Sequence, residues 1–113
     1  MNQTTLRLEP QIQNQATWLE IDRNALQYNL AEILNLALPG AAVMAVVKAN
    51  AYGHGLFEIA QCLREQVAYF GVASIDEALM LRRFEIDTPI LLFGVPLGDA
   101  IEAGIKVEVS FSL

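Results

Sequence analysis

The sequence predicts an α/β fold of parallel strands joined by helices. Three observations carry that prediction. Short apolar runs alternate with segments of helical period along the chain. The run Ala42-Val43-Met44-Ala45-Val46-Val47 is apolar without alternation, as expected for a strand covered on both faces. Ser74-Ile75-Asp76-Glu77 has the form of a capping box and follows directly on an apolar run.

The elements follow in order. Residues 1–15 are rich in Gln, Asn and Thr, show no sustained period, and read as a loose tail. Thr17 to Ile21 reads as a strand, and Asp22 as the N-cap of a helix. Leu26, Leu30, Ile33, Leu34 and Ala37 give that helix one apolar stripe, which Pro39-Gly40 stops. The Ala42–Val47 strand comes next. Leu56, Ile59, Ala60 and Leu63 form a second stripe. Tyr69–Ala73 is a short strand, and the helix opened by Ser74 runs to about Phe84. Ile90 to Phe93 is a strand bounded by Pro89 and Gly94. Asp99 is expected to cap a short helix closed by Gly104, and Lys106 to Val109 to form a last strand. Such an order implies right-handed crossovers, in an open doubly wound sheet or in part of a (β/α)₈ barrel.

Composition excludes several classes. The chain has 113 residues, 54% of them hydrophobic, enough for one small domain with a core. A net charge of −6 with no basic run argues against nucleic-acid binding. Arg82-Arg83 is the sole basic pair and reads as a helix C-terminus. The apolar run near 41–47 is far shorter than the about 20 residues that span a bilayer. The N-terminus does not read as a signal peptide. The single cysteine, Cys62, reads as a small core-flanking residue and fits a reducing, cytoplasmic setting. One histidine and one cysteine make a zinc site improbable, and no metal is expected.

The chemistry centres on Lys48. It ends the Ala42–Val47 strand, and Tyr52, Gly53, His54 and Gly55 follow. Judged by position alone, a lysine there is more often a solvated charge. A desolvated lysine is a different reagent. Burial disfavours its charged form, and the neutral amine attacks carbonyls. Gly53 and Gly55 permit close approach of backbone to a ligand, and a helix starting at Leu56 would present N–H donors to an anion. Gly53-His54-Gly55-Leu56-Phe57-Glu58 begins like a dinucleotide-binding turn, but Glu58 stands where the third glycine belongs.

The eleven residues Ala45-Val46-Val47-Lys48-Ala49-Asn50-Ala51-Tyr52-Gly53-His54-Gly55 resemble the cofactor-lysine motif of alanine racemases. Trp18-Leu19-Glu20-Ile21-Asp22 and Pro89-Ile90-Leu91-Leu92-Phe93-Gly94 resemble two further regions of that family, so the likeness runs from about Thr17 to the end. The resemblance implies that residues 16–113 are the N-terminal portion of a (β/α)₈ TIM-type barrel, incomplete in this chain. It implies pyridoxal 5′-phosphate held on Lys48 as an aldimine in a dry pocket, Tyr52 at the phosphate, and Val46, Leu91 and Phe93 against the ring. For those three apolar residues ordinary core packing is an equal alternative, and many family members carry leucine at the Phe93 position. His54 is expected either to support a residue that touches the cofactor or to fix its loop, and Asn50 to hydrogen-bond its own turn. The implied reaction interconverts L-alanine and D-alanine for peptidoglycan, in a cytoplasmic homodimer with a shared site. The second base, a tyrosine of the partner's C-terminal domain in the family, has no match here. The chain is therefore expected to be inactive alone. The alternatives are a related decarboxylase or cofactor-handling barrel protein, and a non-catalytic truncated module.

Overall fold

A computed structural model describes Thr5–Leu6 and residues 16–112. The chain forms two compact units, residues 1–38 and residues 39–113.

In the first unit, β1 (Thr5–Leu6) pairs antiparallel with β2 (Ile21–Asp22). The rest of the expected tail lies outside the described residues. The first strand is therefore shorter and later than the apolar pattern indicates: Thr17–Glu20 has no regular structure, and Trp18 and Leu19 are exposed. Asp22 does cap α1 (Arg23–Leu36), its carboxylate accepting from the Ala25 N–H at 3.0 Å. The Ala37 N–H closes the helix on the Ile33 carbonyl before Pro39. Of the expected stripe only Leu30 is buried; Ile33 and Leu34 are exposed.

The second unit holds a four-stranded parallel sheet in the order β3 (Met44–Val46), β4 (Tyr69–Val72), β5 (Ile90–Leu92) and β6 (Val109–Phe111). Spatial order equals chain order. No strand reverses the sequence, as a doubly wound sheet requires at its switch point. Right-handed crossovers then place α3 (Leu56–Leu63), α4 (Ile75–Arg83) and α5 (Asp99–Lys106) on one face, the arrangement of a barrel wall.

Burial follows that geometry. Phe70, Val72, Ile90, Leu92 and Val109 face the helices and are buried. Leu56, Ala60, Leu63, Ala78 and Leu81 cover them, and Cys62 is buried beside this stripe. The alternate row Val46, Gly71, Leu91, Ser110 shares one register across all four strands and lies on the other face. There Val46 and Leu91 are half-buried, while Met44, Tyr69 and Ser110 are exposed. The expectation that the β3 run is covered on both faces is thus corrected. One face is packed by helices and the other is open.

The sheet is knit at its N-terminal end by Arg82. Its Nε donates to the Val107 carbonyl at 2.9 Å, and Nη1 donates to Ile86 and Thr88 carbonyls at 2.6 and 2.8 Å. Nη2 reaches the Glu108 carbonyl at 3.3 Å. One guanidinium thus ties the turns that feed β5 and β6. Phe57 and Phe84 add an edge-to-face ring contact, with centroids 4.8 Å apart, between α3 and the end of α4.

Three expectations near the C-terminus are corrected. Gly98, not Asp99, is the N-cap residue of α5, and Gly104 lies inside the helix. A Cβ at Gly104 would stand 2.7 Å from the Phe111 ring and 2.9 Å from Ile75 Cδ1, so close packing, not chain termination, selects glycine. Lys106 belongs to the last turn of α5, paired with Glu102 at 3.3 Å, and the strand starts at Val109 after a left-handed Glu108. Among the described residues, no helix is long and apolar enough to cross a membrane.

Candidate functional site

The C-terminal ends of the parallel strands are where such sheets carry chemistry. Lys48 lies there. The last β3 residue is Val46, and the Val47 N–H donates to the Gly71 carbonyl at 2.9 Å. The next residue is Lys48, the first of α2 (Lys48–Tyr52).

α2 is a left-handed turn. Its φ angles are 53° at Ala49, 55° at Asn50, 53° at Ala51 and 55° at Tyr52. Left-handed helix costs about 1–2 kcal/mol per L-residue, because Cβ crowds the following carbonyl. Such a run persists only where surrounding bonds over-determine it. They do so here. The Ala51 N–H bonds the Val47 carbonyl at 2.9 Å, and the Gly53 N–H bonds Ala49 and Asn50 carbonyls, both at 3.1 Å. The His54 and Gly55 N–H groups bond Ala51 and Asn50 carbonyls at 3.1 and 3.0 Å.

Side chains complete the turn. Asn50 Oδ1 accepts from the Leu56 N–H at 2.8 Å, and His54 Nδ1 lies 3.0 Å from the Ala51 carbonyl oxygen. Both side chains thus contact their own loop, the loop-fixing alternative for His54. Gly53 and Gly55 have φ of 88° and 100°, which glycine adopts without strain. Glu58 folds its carboxylate against Gly55. At the start of α3 the Leu56 N–H is thus bonded within the loop, with a carboxylate beside it.

A longer-range bond was not legible in the sequence. The Glu77 carboxylate caps α4 locally: Oε1 accepts from Ala73 and Ser74 N–H groups at 2.7 and 3.1 Å, while Ser74 Oγ accepts from the Glu77 N–H at 3.2 Å. The capping box is therefore as expected. The other oxygen, Oε2, accepts the Ala49 N–H at 2.7 Å, across 28 positions of sequence.

The remaining expected residues fall on the same end and open face of the sheet. Val46 and Leu91 share one register row, and Phe93 follows β5 two positions after Leu91. Gly71 stands between Val46 and Leu91 in that row, and the Phe93 ring lies over it. Tyr52 leaves 59% of its surface exposed. Lys48 is exposed too, so the described residues do not supply the dry pocket expected around its amine. Among the described residues, no group of three or more His, Cys, Asp and Glu is placed to hold a metal.

Comparison with known proteins agrees with this geometry. The family model "Alanine racemase, N-terminal domain" matches residues 21–113. An alanine racemase of Halalkalibacterium halodurans is 40% identical over 99 residues, covering 86% of this chain and 26% of that protein. One from Legionella pneumophila (strain Corby) is 45% identical over 97 residues, covering 85% and 26%. A solved alanine racemase of Clostridium difficile 630, in complex with cycloserine, superposes with a TM-score of 0.76 at 37% identity, over 80% of this chain and 25% of that one. The chain thus spans about a quarter of the length of the relatives it matches. With the motif, the one-sided parallel sheet and the family match in agreement, the chain belongs to the alanine racemase N-terminal domain family.

Proposed function

We propose that the protein containing this segment interconverts L-alanine and D-alanine with pyridoxal 5′-phosphate as cofactor, and that Lys48 is the amine that holds the cofactor. The carrying observation is the position of Lys48: two residues past β3, at the C-terminal end of the sheet, on a turn fixed by hydrogen bonds.

The residues fit the group by their chemistry. Lys48 offers a primary amine on a fixed backbone. Tyr52 offers an exposed phenol that can donate to a phosphate oxygen. Val46, Leu91 and Phe93 offer a half-buried apolar strip for a planar ring. When bound, the cofactor supplies an electron sink that acidifies the α-proton of an amino acid. The Lys48 amine then takes or returns that proton at Cα from one face. A group outside this segment serves the opposite face. His54 and Asn50 hold the turn on which Lys48 and Tyr52 stand.

The reading extends to a cytoplasmic homodimer with a shared site, whose D-alanine enters peptidoglycan. The segment alone is read as inactive, because Lys48 and Tyr52 remain open to water. The test is Lys48→Ala in the intact protein. It should lose the yellow colour of bound cofactor and D-alanine formation from L-alanine. Retention of both would refute the assignment.

A further inference from the structure

We propose that Glu77 is a positioning residue for Lys48: its carboxylate clamps the Ala49 amide and so aims the lysine turn from the start of α4. This inference rests on the reading of Lys48 given above.

The geometry separates two duties of one carboxylate. Oε1 takes the Ala73 and Ser74 N–H groups, which is the local task of a capping box. Oε2 is not needed for that task and takes the Ala49 N–H at 2.7 Å instead. Ala49 is the residue after Lys48 and the first with a left-handed φ. Its N–H stands at the start of a reversed turn, where the backbone has turned away from the β3–β4 ladder. Apart from Val47, which the Gly71 carbonyl holds at the end of the ladder, the other bonds of the turn lie within residues 47–56. Among the bonds described, the Glu77 contact is the one that fixes Ala49 to an element outside the loop. Both carboxylate oxygens are occupied, and charge-assisted bonds to N–H groups are short and directional.

Glutamine tests the clamp without loss of volume. Its side chain has one accepting oxygen and a donating NH₂. It must set that NH₂ against the Ala49 N–H or against the Ala73 and Ser74 N–H groups. Ser74→Ala is the control: it removes the hydroxyl acceptor of the capping box and leaves the carboxylate on Ala49. The chain contains two lysines, Lys48 and Lys106, so a second amine serves as internal reference.

The experiment treats the intact protein with pyridoxal 5′-phosphate, reduces with borohydride, and measures the Lys48 to Lys106 labelling ratio by peptide mapping. Amide exchange at Ala49 is followed in parallel, with Phe70 in β4 reporting the intact sheet. Glu77→Gln should speed Ala49 exchange about tenfold, as loss of one charge-assisted bond implies. It should lower the labelling ratio about fivefold through misplacement of the amine. Ser74→Ala should do neither. Should Glu77→Gln lose Phe70 protection, Glu77→Asp, which shortens the reach by one methylene, is read on the same two measures. Wild-type values for both in the Glu77 variant, or equal effects from Ser74→Ala, would overturn the proposal. An intact wild-type protein that labels both lysines alike would overturn the reading of Lys48 itself, and the positioning role with it.

Discussion

The Phe93 ring lies directly over Gly71: a Cβ built on that glycine would stand 2.6 Å from Phe93 Cε2 and 2.8 Å from Cζ. Gly71 is the β4 member of the row that also holds Val46 and Leu91. The bulk of Phe93 is thus accommodated by an absence of side chain one strand away.

Gly71→Ala should therefore destabilise the chain by about 1–3 kcal/mol through overpacking. Met44 Sδ, 3.3 Å from the new Cβ, narrows the escape route further. In a Phe93→Leu background the same change should cost clearly less. Urea denaturation of the four proteins in the cycle gives the coupling. Additive effects would show that ring and glycine are independent.

Arg82 makes its contacts with carbonyls of two separate turns. Arg82→Met keeps the aliphatic stem and removes every donor. Hydrogen bonds from a charged group are worth about 1.5–3 kcal/mol, and those of one guanidinium do not add independently. The expected loss is about 3 kcal/mol, read as a lower urea midpoint. Arg83→Met, at an exposed position, should stay within about 0.5 kcal/mol of wild type. Equal effects at the two arginines would contradict the assignment.

Much of the fold was legible because it rests on local rules. Asp22 and Ser74 cap helices as their positions indicate, and the order of apolar runs yields the order of strands. Lys48 stands at the strand end that the Ala42–Val47 run implies. Two differences come from tertiary contacts that override a local signal. Ala49 and Ala51 have high helix propensity and no preference for positive φ, yet both are left-handed, held partly by Glu77 from 28 positions away. Gly104 reads as a helix stop, but Phe111 and Ile75 make it a packing residue within the helix. Thr17–Glu20 has a strand's composition, yet only Ile21–Asp22 finds a ladder partner. The open face of the sheet was hidden for another reason. The Ala42–Val47 run is apolar on both faces, and periodicity cannot tell a helix-covered face from one awaiting a different cover.

Gly104→Ala should destabilise although alanine favours helix by about 1 kcal/mol over glycine at exposed positions. The new methyl meets Phe111 and Ile75 at under 3 Å. The net expectation is a loss of about 1–2 kcal/mol, seen as a lower thermal midpoint. A rise in midpoint would show that α5 can shift away from β6 freely.

Glu85 has φ of 60°, and its carbonyl accepts from Arg64 Nη2 at 3.1 Å. Glycine removes the Cβ crowding of that conformation and leaves the carbonyl in place. Glu85→Gly should stabilise by about 0.5–1 kcal/mol. A lower midpoint in thermal unfolding would mean that the Glu85 side chain contributes more than its backbone strain costs.

Lys48 as the cofactor amine is the claim on which the rest turns. Borohydride reduction of the intact protein loaded with pyridoxal 5′-phosphate, followed by peptide mapping, addresses it most directly. One reduced label is expected, on Lys48, with Lys106 at background. A label confined to any other lysine would contradict it.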